Sequence, residues 1–427
     1  MKTHSFLLRY GFIAALGFSI QAAAGAENWP QWRGAKLDGV SQETNLPTTW
    51  SKTENVVWRL PLAGPAGSTP AIWGDRIFLT TADGSDLKLL GISTAGEKLW
   101  EQTLGSGNST ARGDEGNSAS NSPCTDGKHV WAMFTTGPLG CYDFDGHEVW
   151  KIDLQERYGK FNIAFGMTST PVLDGDHLYL QLLHTDGAWV VCLNKADGQE
   201  VWKHNRQSDA KGEPLHAYAS PMLYRDGQRE YLLTHGADYI VAHRLTDGEE
   251  IWRCGGMNPP PNGAYRQDFR FVASPLAVPG LIVVPSCKNG VVLALDPAAK
   301  GNITGQSSYH HWTHDKTPDV PSPLYHEGLV YLCSEGGIMT CLHAKTGKPA
   351  YIDQRVHAQR HRASPVYADG KIYLTARDGV VSVLRAGPEF ELLASNDLEE
   401  GISASPAISG GRIYFRTNES LFAIGEK

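Results

Sequence analysis

A Ser-Pro or Thr-Pro step recurs eight times along the chain: Thr69-Pro70, Ser122-Pro123, Thr170-Pro171, Ser220-Pro221, Ser274-Pro275, Ser322-Pro323, Ser364-Pro365 and Ser405-Pro406. Self-similarity with a period of roughly 40 to 50 residues means a propeller or a solenoid, in which each repeat is one small unit that buries its apolar faces against its neighbours. Each step is followed by a small turn, usually with glycine, and then by a β-branched or aromatic run. Eight residues beyond the proline stand Phe78, Trp131, Tyr179, Val283, Tyr331, Tyr373 and Tyr414. The fourth repeat reaches Tyr231 after ten, across the longer turn Arg225-Asp226-Gly227-Gln228-Arg229. Proline suits the first residue of a strand, where no ladder donor is needed, and the turn reverses the chain into a second strand.

A second motif lies behind the first. Gly96, Gly146, Gly198 and Gly248 are each followed four residues later by Trp100, Trp150, Trp202 and Trp252, and Gly347 by Tyr351. This reads as a turn between third and fourth strands, with an aromatic ring buried between neighbouring blades. After Pro406 only 21 residues remain, room for strands at Arg412 to Phe415 and Leu421 to Ile424 but no fourth. Upstream of Pro70, Val56-Val57-Trp58-Arg59-Leu60 reads as a lone outer strand. The expectation is therefore an all-β, eight-bladed propeller of four-stranded antiparallel blades over residues 56–427. The N-terminal strand should complete the last blade, so that closure removes an exposed edge.

The segment Met1 to Ala26 begins with Lys2 and Arg9, continues through an apolar stretch from Gly11 to Ile20, and ends in Ala24-Gly25-Ala26. That is the pattern of a secretory signal peptide, with cleavage expected after Ala26. The first cysteine is Cys124, far from that point, which disfavours a lipid anchor, and no later stretch is apolar enough to span a bilayer. A periplasmic or secreted mature protein is expected, with residues 27–55 as a strap on the propeller. The formal charge of −8 becomes more acidic once Lys2 and Arg9 are removed, which gives no support for nucleic-acid binding. Seven cysteines cannot all pair within one chain. Cys333 and Cys341 flank a turn at Gly336-Gly337, and the choice between a cross-strand disulfide and buried thiols stays open.

These repeats resemble the pyrroloquinoline-quinone-like propeller family, through the Ser/Thr-Pro step, the turn into a Tyr-Leu or Phe-Leu strand, and the glycine turn four residues before tryptophan. The resemblance runs from about Val56 to Ile424. The leader Asn28-Trp29-Pro30-Gln31-Trp32-Arg33-Gly34 is similar to that of exported bacterial members. The family includes quinone-dependent alcohol dehydrogenases and a non-enzymatic propeller of the outer-membrane assembly machine, so the resemblance implies a scaffold and leaves the chemistry to the site. A quinone dehydrogenase of this family is expected to carry a vicinal cysteine pair, a calcium site and a catalytic aspartate. This chain has no adjacent cysteines, no C-x-x-C-H haem sequence, and no loop that concentrates carboxylates for calcium. His310, His311 and His314 lack the partners of a zinc site.

In a propeller, the loops entering the innermost strands gather around the central channel, and loops carry binding residues more often than scaffolds do. The residues just before the Ser/Thr-Pro steps and in the inter-strand turns supply the candidate ligand-binding set: Asn121, His184, His216, Tyr218, His235, Arg270, Lys288, His361, Arg362 and Arg377. They describe a locally basic, histidine-rich funnel suited to an anionic ligand or acidic peptide, or else a channel mouth whose charges pair with Asp114, Glu115, Asp268 and Glu335. No metal and no cofactor is expected. The leading functional expectation is an exported scaffold that binds a protein partner or envelope component through this face and its blade edges. The alternative is an oxidoreductase holding pyrroloquinoline quinone near the axis, with Arg270, Arg362 and Lys288 pairing its carboxylates. A third reading is a carbohydrate-binding module or sugar-active enzyme.

Overall fold

The structure, a computed structural model, describes Met1 and residues 26–426 except 112, 114–115, 259–262 and 288–289. The signal-peptide reading and the roles given to Lys288, Asp114 and Glu115 therefore lie outside the described residues. Eight antiparallel sheets follow one another as blades: residues 71–106, 124–153, 172–205, 222–254, 276–314, 324–355, 366–397, and 407–424 joined by the strand Val56–Pro61. That strand is the outer member of blade 8, pairing Val56 with Ile424 and Leu60 with Leu421. The first and last strands of the propeller thus share one sheet.

The constant offset of eight residues is a hairpin register. The residue after each proline pairs with the one seven further on, as in Ala71 with Phe78, Val172 with Tyr179 and Val366 with Tyr373. In blade 4 the longer turn moves the pairing to Met222 with Leu233, and Tyr231 instead faces Tyr224. The second-strand rings are buried, and together with the aliphatic residues of the third strands they form the layers between blades.

The glycine of the second motif serves the tryptophan of the preceding blade. Trp58, Trp100, Trp150, Trp202 and Trp312 each donate their indole N–H to a carbonyl in the next blade's turn, at Thr94, Phe144, Lys195, Leu245 and Ala344, over 2.7–2.9 Å. Each ring lies on the glycine of that same turn. Gly146 has φ +87°, and a Cβ there would lie 2.7 Å from the Trp100 ring. Gly146→Ala combines a left-handed conformation with overpacking, for an expected loss of about 2–3 kcal/mol. In a background of Trp100→Ala the steric part should vanish, so urea unfolding of both single variants and the double should show a coupling of ~1 kcal/mol or more. Strict additivity would mean that the ring is not what holds the glycine in place.

The cysteines are all buried and unbridged. Cys333 pairs with Met339 and Cys341 with Tyr351 and Tyr331, so the two thiols are not opposite one another across the hairpin.

Residues 27–55 cross one face of the ring as a strap. Trp29 bridges to Ile72 in blade 1, Pro30 accepts from the Thr125 amide in blade 2, and Gln31 is bonded to Leu173 in blade 3. The chain then reaches the opposite side, where Arg33 donates to the Pro323 carbonyl of blade 6 at 2.6 Å, Ser41 bonds Tyr367 of blade 7, and the Trp50 amide bonds Asn396. Arg33 is buried, and burial pulls its guanidinium down to about 10.

Candidate functional site

The Ser/Thr-Pro steps build the wall of the axial channel. The amide of each hydroxyl residue donates to the hydroxyl of the next blade: Thr69 to Ser122, Ser122 to Thr170, Thr170 to Ser220, Ser220 to Ser274, Ser274 to Ser322, Ser322 to Ser364, and Ser364 to Ser405, at 2.8–3.3 Å. The Thr69 hydroxyl closes the circle by donating to the Ser405 carbonyl at 3.2 Å. Eight segments about 50 residues apart in sequence are thereby joined into one ring.

The entering segments are extended, so alternate residues face the same way. Two residues before the ring come Gly67, Ser120, Thr168, Tyr218, Val272, Val320, Arg362 and Ser403, and all eight line the channel as a second layer. Phe165 and Arg270 line it as well. The floor is Trp32. With Gln31 tied to blade 3 and Arg33 to blade 6, the residue between them is carried across the axis. The result is a cavity of about 240 Å³, closed by the strap on one side.

Two cations mark the wall. The Arg270 guanidinium bonds Glu213 at 3.1 Å and lies 5.2 Å from the Phe165 ring. Burial works against its charge, but the Glu213 carboxylate outweighs that and holds it above the usual arginine range. Arg362 is paired with Glu335 at 3.0 Å. Tyr218 packs against Phe165, and burial pushes its phenol above the usual range.

Of the residues singled out from sequence, Tyr218, Arg270 and Arg362 meet at this wall. Asn121 is buried behind it, its amide donating to the Met167 and Ser169 carbonyls at 3.0 Å. His216 bonds the Thr185 hydroxyl at 2.9 Å, and His184 packs against Phe161; burial lowers both imidazoles. His235 is inside the fold, donating to the Pro285 carbonyl at 2.7 Å, and His361 donates to the Gln359 carbonyl at 2.9 Å. Arg377 is half-buried and outside the channel lining, its amide bonded to the Arg360 carbonyl. Trp32 and the ring hydroxyls were not singled out as ligand contacts.

For a quinone, Arg270 and Arg362 supply partners for carboxylates. Among the described lining residues, none is an aspartate, glutamate, asparagine, glutamine or cysteine. That donor set does not fit the calcium and general-base chemistry of a quinone dehydrogenase.

An eight-bladed propeller with an axial channel lined by hydroxyls and arginines defines the class: a PQQ-like repeat propeller. The profile of the family described as outer membrane protein assembly factor BamB matches residues 40–143, 135–299 and 288–388, and the chain belongs to this family. Among solved structures it is similar to BamB from Moraxella catarrhalis, with 15% identity and a TM-score of 0.63 over 86% of this chain and 99% of that one. It is also similar to a europium-containing methanol dehydrogenase (12% identity, TM-score 0.69, 92% and 90% covered). The quinohemoprotein alcohol dehydrogenase from Comamonas testosteroni is a third such structure (13% identity, TM-score 0.65, 94% and 81% covered). At these identities the likeness is one of fold. No curated protein matches the chain.

Proposed function

We propose that this protein is an exported, non-catalytic scaffold of the bacterial envelope that binds a protein partner through its channel-mouth face and by adding a strand to its blade edges. The observation that carries the reading is a fifth strand on blade 4. Gly301–Asn302, from the long connection in blade 5, lies parallel to the outer strand of blade 4, pairing with Trp252 and Arg253. The Ile303 amide donates to the Arg253 carbonyl at 2.9 Å, and Ile303 is buried. A blade edge of this propeller therefore accepts an added strand and a side chain beneath it, which is the geometry of β-augmentation.

Other outer edges have no such cover among the described residues. The outer strands Lys98–Ser106, Glu148–Asp153, Glu200–Asn205, Pro349–Arg355 and Leu392–Asp397 end their sheets. Each carries one large apolar side chain that is 42–48% exposed: Leu99, Val149, Val201, Ile352 and Leu392. Unpaired edges of this kind template pairing with another chain. The family description, an outer membrane assembly factor, supports a protein partner in the envelope. Among the described residues, no helix is long and apolar enough to cross a membrane.

The test is site-specific photo-crosslinking in cells, with a photoreactive residue at Leu99, Val149, Val201, Ile352 or Leu392 and, as controls, at Lys36 and Glu54 on the strap. A discrete adduct at one or two adjacent edges, absent from the controls, is the expected outcome. Adducts confined to the strap, or none at any of the five edges, would sink the reading.

A further inference from the structure

The hydroxyl ring has a property that inter-blade bonding leaves unused. Ser122, Thr170, Ser220, Ser274, Ser322, Ser364 and Ser405 each accept an amide N–H, so each must place its own hydroxyl proton elsewhere. Among the described residues, none of the seven donates to a protein acceptor. All are more than nine-tenths buried, at 2–6% exposure, and all seven line the same cavity. Buried polar groups are rarely left unpaired, so these donors call for acceptors inside the channel.

What enters is selected by the rest of the wall. The described lining contributes two guanidinium groups, Arg270 and Arg362, and no carboxylate of its own. Glu213 and Glu335 each engage one of these cations, but a guanidinium carries five N–H donors in a fork and can bond a second oxygen partner. Phe165, Val272, Val320 and the Trp32 floor narrow the apolar remainder, and a cavity of about 240 Å³ admits a small molecule only.

We infer that the channel floor is a binding site for a small oxyanion, held by the ring of hydroxyl donors below and by Arg270 and Arg362 above. This site is independent of partner docking at the blade edges. A neutral polyol would satisfy the hydroxyls but gain nothing from the guanidinium charge; an oxyanion bonds the hydroxyls and shares the two cations with Glu213 and Glu335. Phosphate and carboxylate share the required chemistry, and the two are separated by the probes.

The experiment is calorimetric titration of the full mature protein at pH 7 and low salt with inorganic phosphate, with citrate, and with glucose as the neutral control. Saturable binding of phosphate or citrate with a Kd below about 1 mM is expected, and none of glucose; whichever anion binds names the class. Arg270→Gln should weaken binding at least tenfold. Val320→Phe, a wall position outside the ring and the ion pairs, should abolish it by filling the cavity, with thermal unfolding reporting that each variant is folded. No anion binding to the wild-type protein, glucose binding as well as citrate, or undiminished binding by a folded Val320→Phe would each overturn the inference. Should both variants fail to fold, stoichiometry on the wild-type protein decides: one bound anion per chain is expected, and several per chain would overturn the inference.

Discussion

A chain that starts at Leu62 is expected to lose its cooperative fold, and the same chain with residues 56–61 re-attached after residue 426 through a two-residue turn is expected to regain it. In the native molecule Val56 lies opposite Ile424, so the re-attached strand would form a simple hairpin with the last one. Without it, blade 8 ends on Ser420–Ile424, a strand buried along its whole length that would become an open edge. The shortened chain also loses Trp58, which rests on Gly96 of blade 1, packs at a tilt against Tyr414 and bonds the Thr94 carbonyl. It loses Arg59 as well, whose guanidinium sits 2.6 Å from the buried Glu400 carboxylate. Burying one tryptophan and two aliphatic side chains contributes on the order of 5 kcal/mol, a large part of the margin by which a folded chain is stable. Urea unfolding followed by circular dichroism measures both. Both chains lack the strap, so the difference between them reports the seam strand alone. Equal transitions would show that the ring closes without it.

The second large effect is acid lability. His243 is buried in a fixed chain of bonds: Arg206 donates to the Thr234 hydroxyl, that hydroxyl meets His243 Nε2 at 2.9 Å, and Nδ1 donates to the Gly248 carbonyl. Burial lowers its imidazole to about 3, the Gly248 bond opposing and the Arg206 charge reinforcing the shift. His235 is lowered to about 4, again chiefly by burial. An unfolded histidine titrates near 6.5. Between that value and the native one the unfolded chain holds the proton and the folded chain does not, so stability falls as pH falls. The two contributions are intact above about pH 6.5 and lost progressively below it. At pH 4.5 their combined loss is about 5 kcal/mol. Replacing both residues by glutamine should flatten this part of the profile, since glutamine has no proton to gain. If the double variant shows the same drop between pH 7 and 4.5 as the wild type, the carboxylates are responsible instead.

The fold was legible because its signals are local and repeat. The eight-residue offset is a hairpin register, and a hairpin is written in adjacent residues. The lone strand before Pro70 and the short tail after Pro406 pointed to each other only because every other repeat had four strands. The ring was less legible. Proline's place at a strand start explains why it follows the serine, but the bond from Ser220 to Ser274 joins residues whose proximity exists only once two blades are stacked. Tyr218 and Arg362, two residues before the ring, face the channel, while Asn121 at one residue before is bonded behind it. His361, at three, is likewise buried away from it. The period of two in an extended segment sorts these without a structure. Trp32 could not have been placed this way, because its position depends on the strap crossing from blade 3 to blade 6.

The shared sheet of blade 8 also orders events in time. A chain made from its N-terminus holds Val56–Pro61 ready from the start, yet the strand that receives it, Ser420–Ile424, is made only after the other seven blades. Seven blades can stack as they emerge, but the circle cannot shut until Ile424 is available, so the commitment to a closed ring is a single late step. Losing the five residues Ser420–Ile424 should therefore be as damaging as losing dozens before Leu62, and a nascent chain remains open to threading until that strand is made.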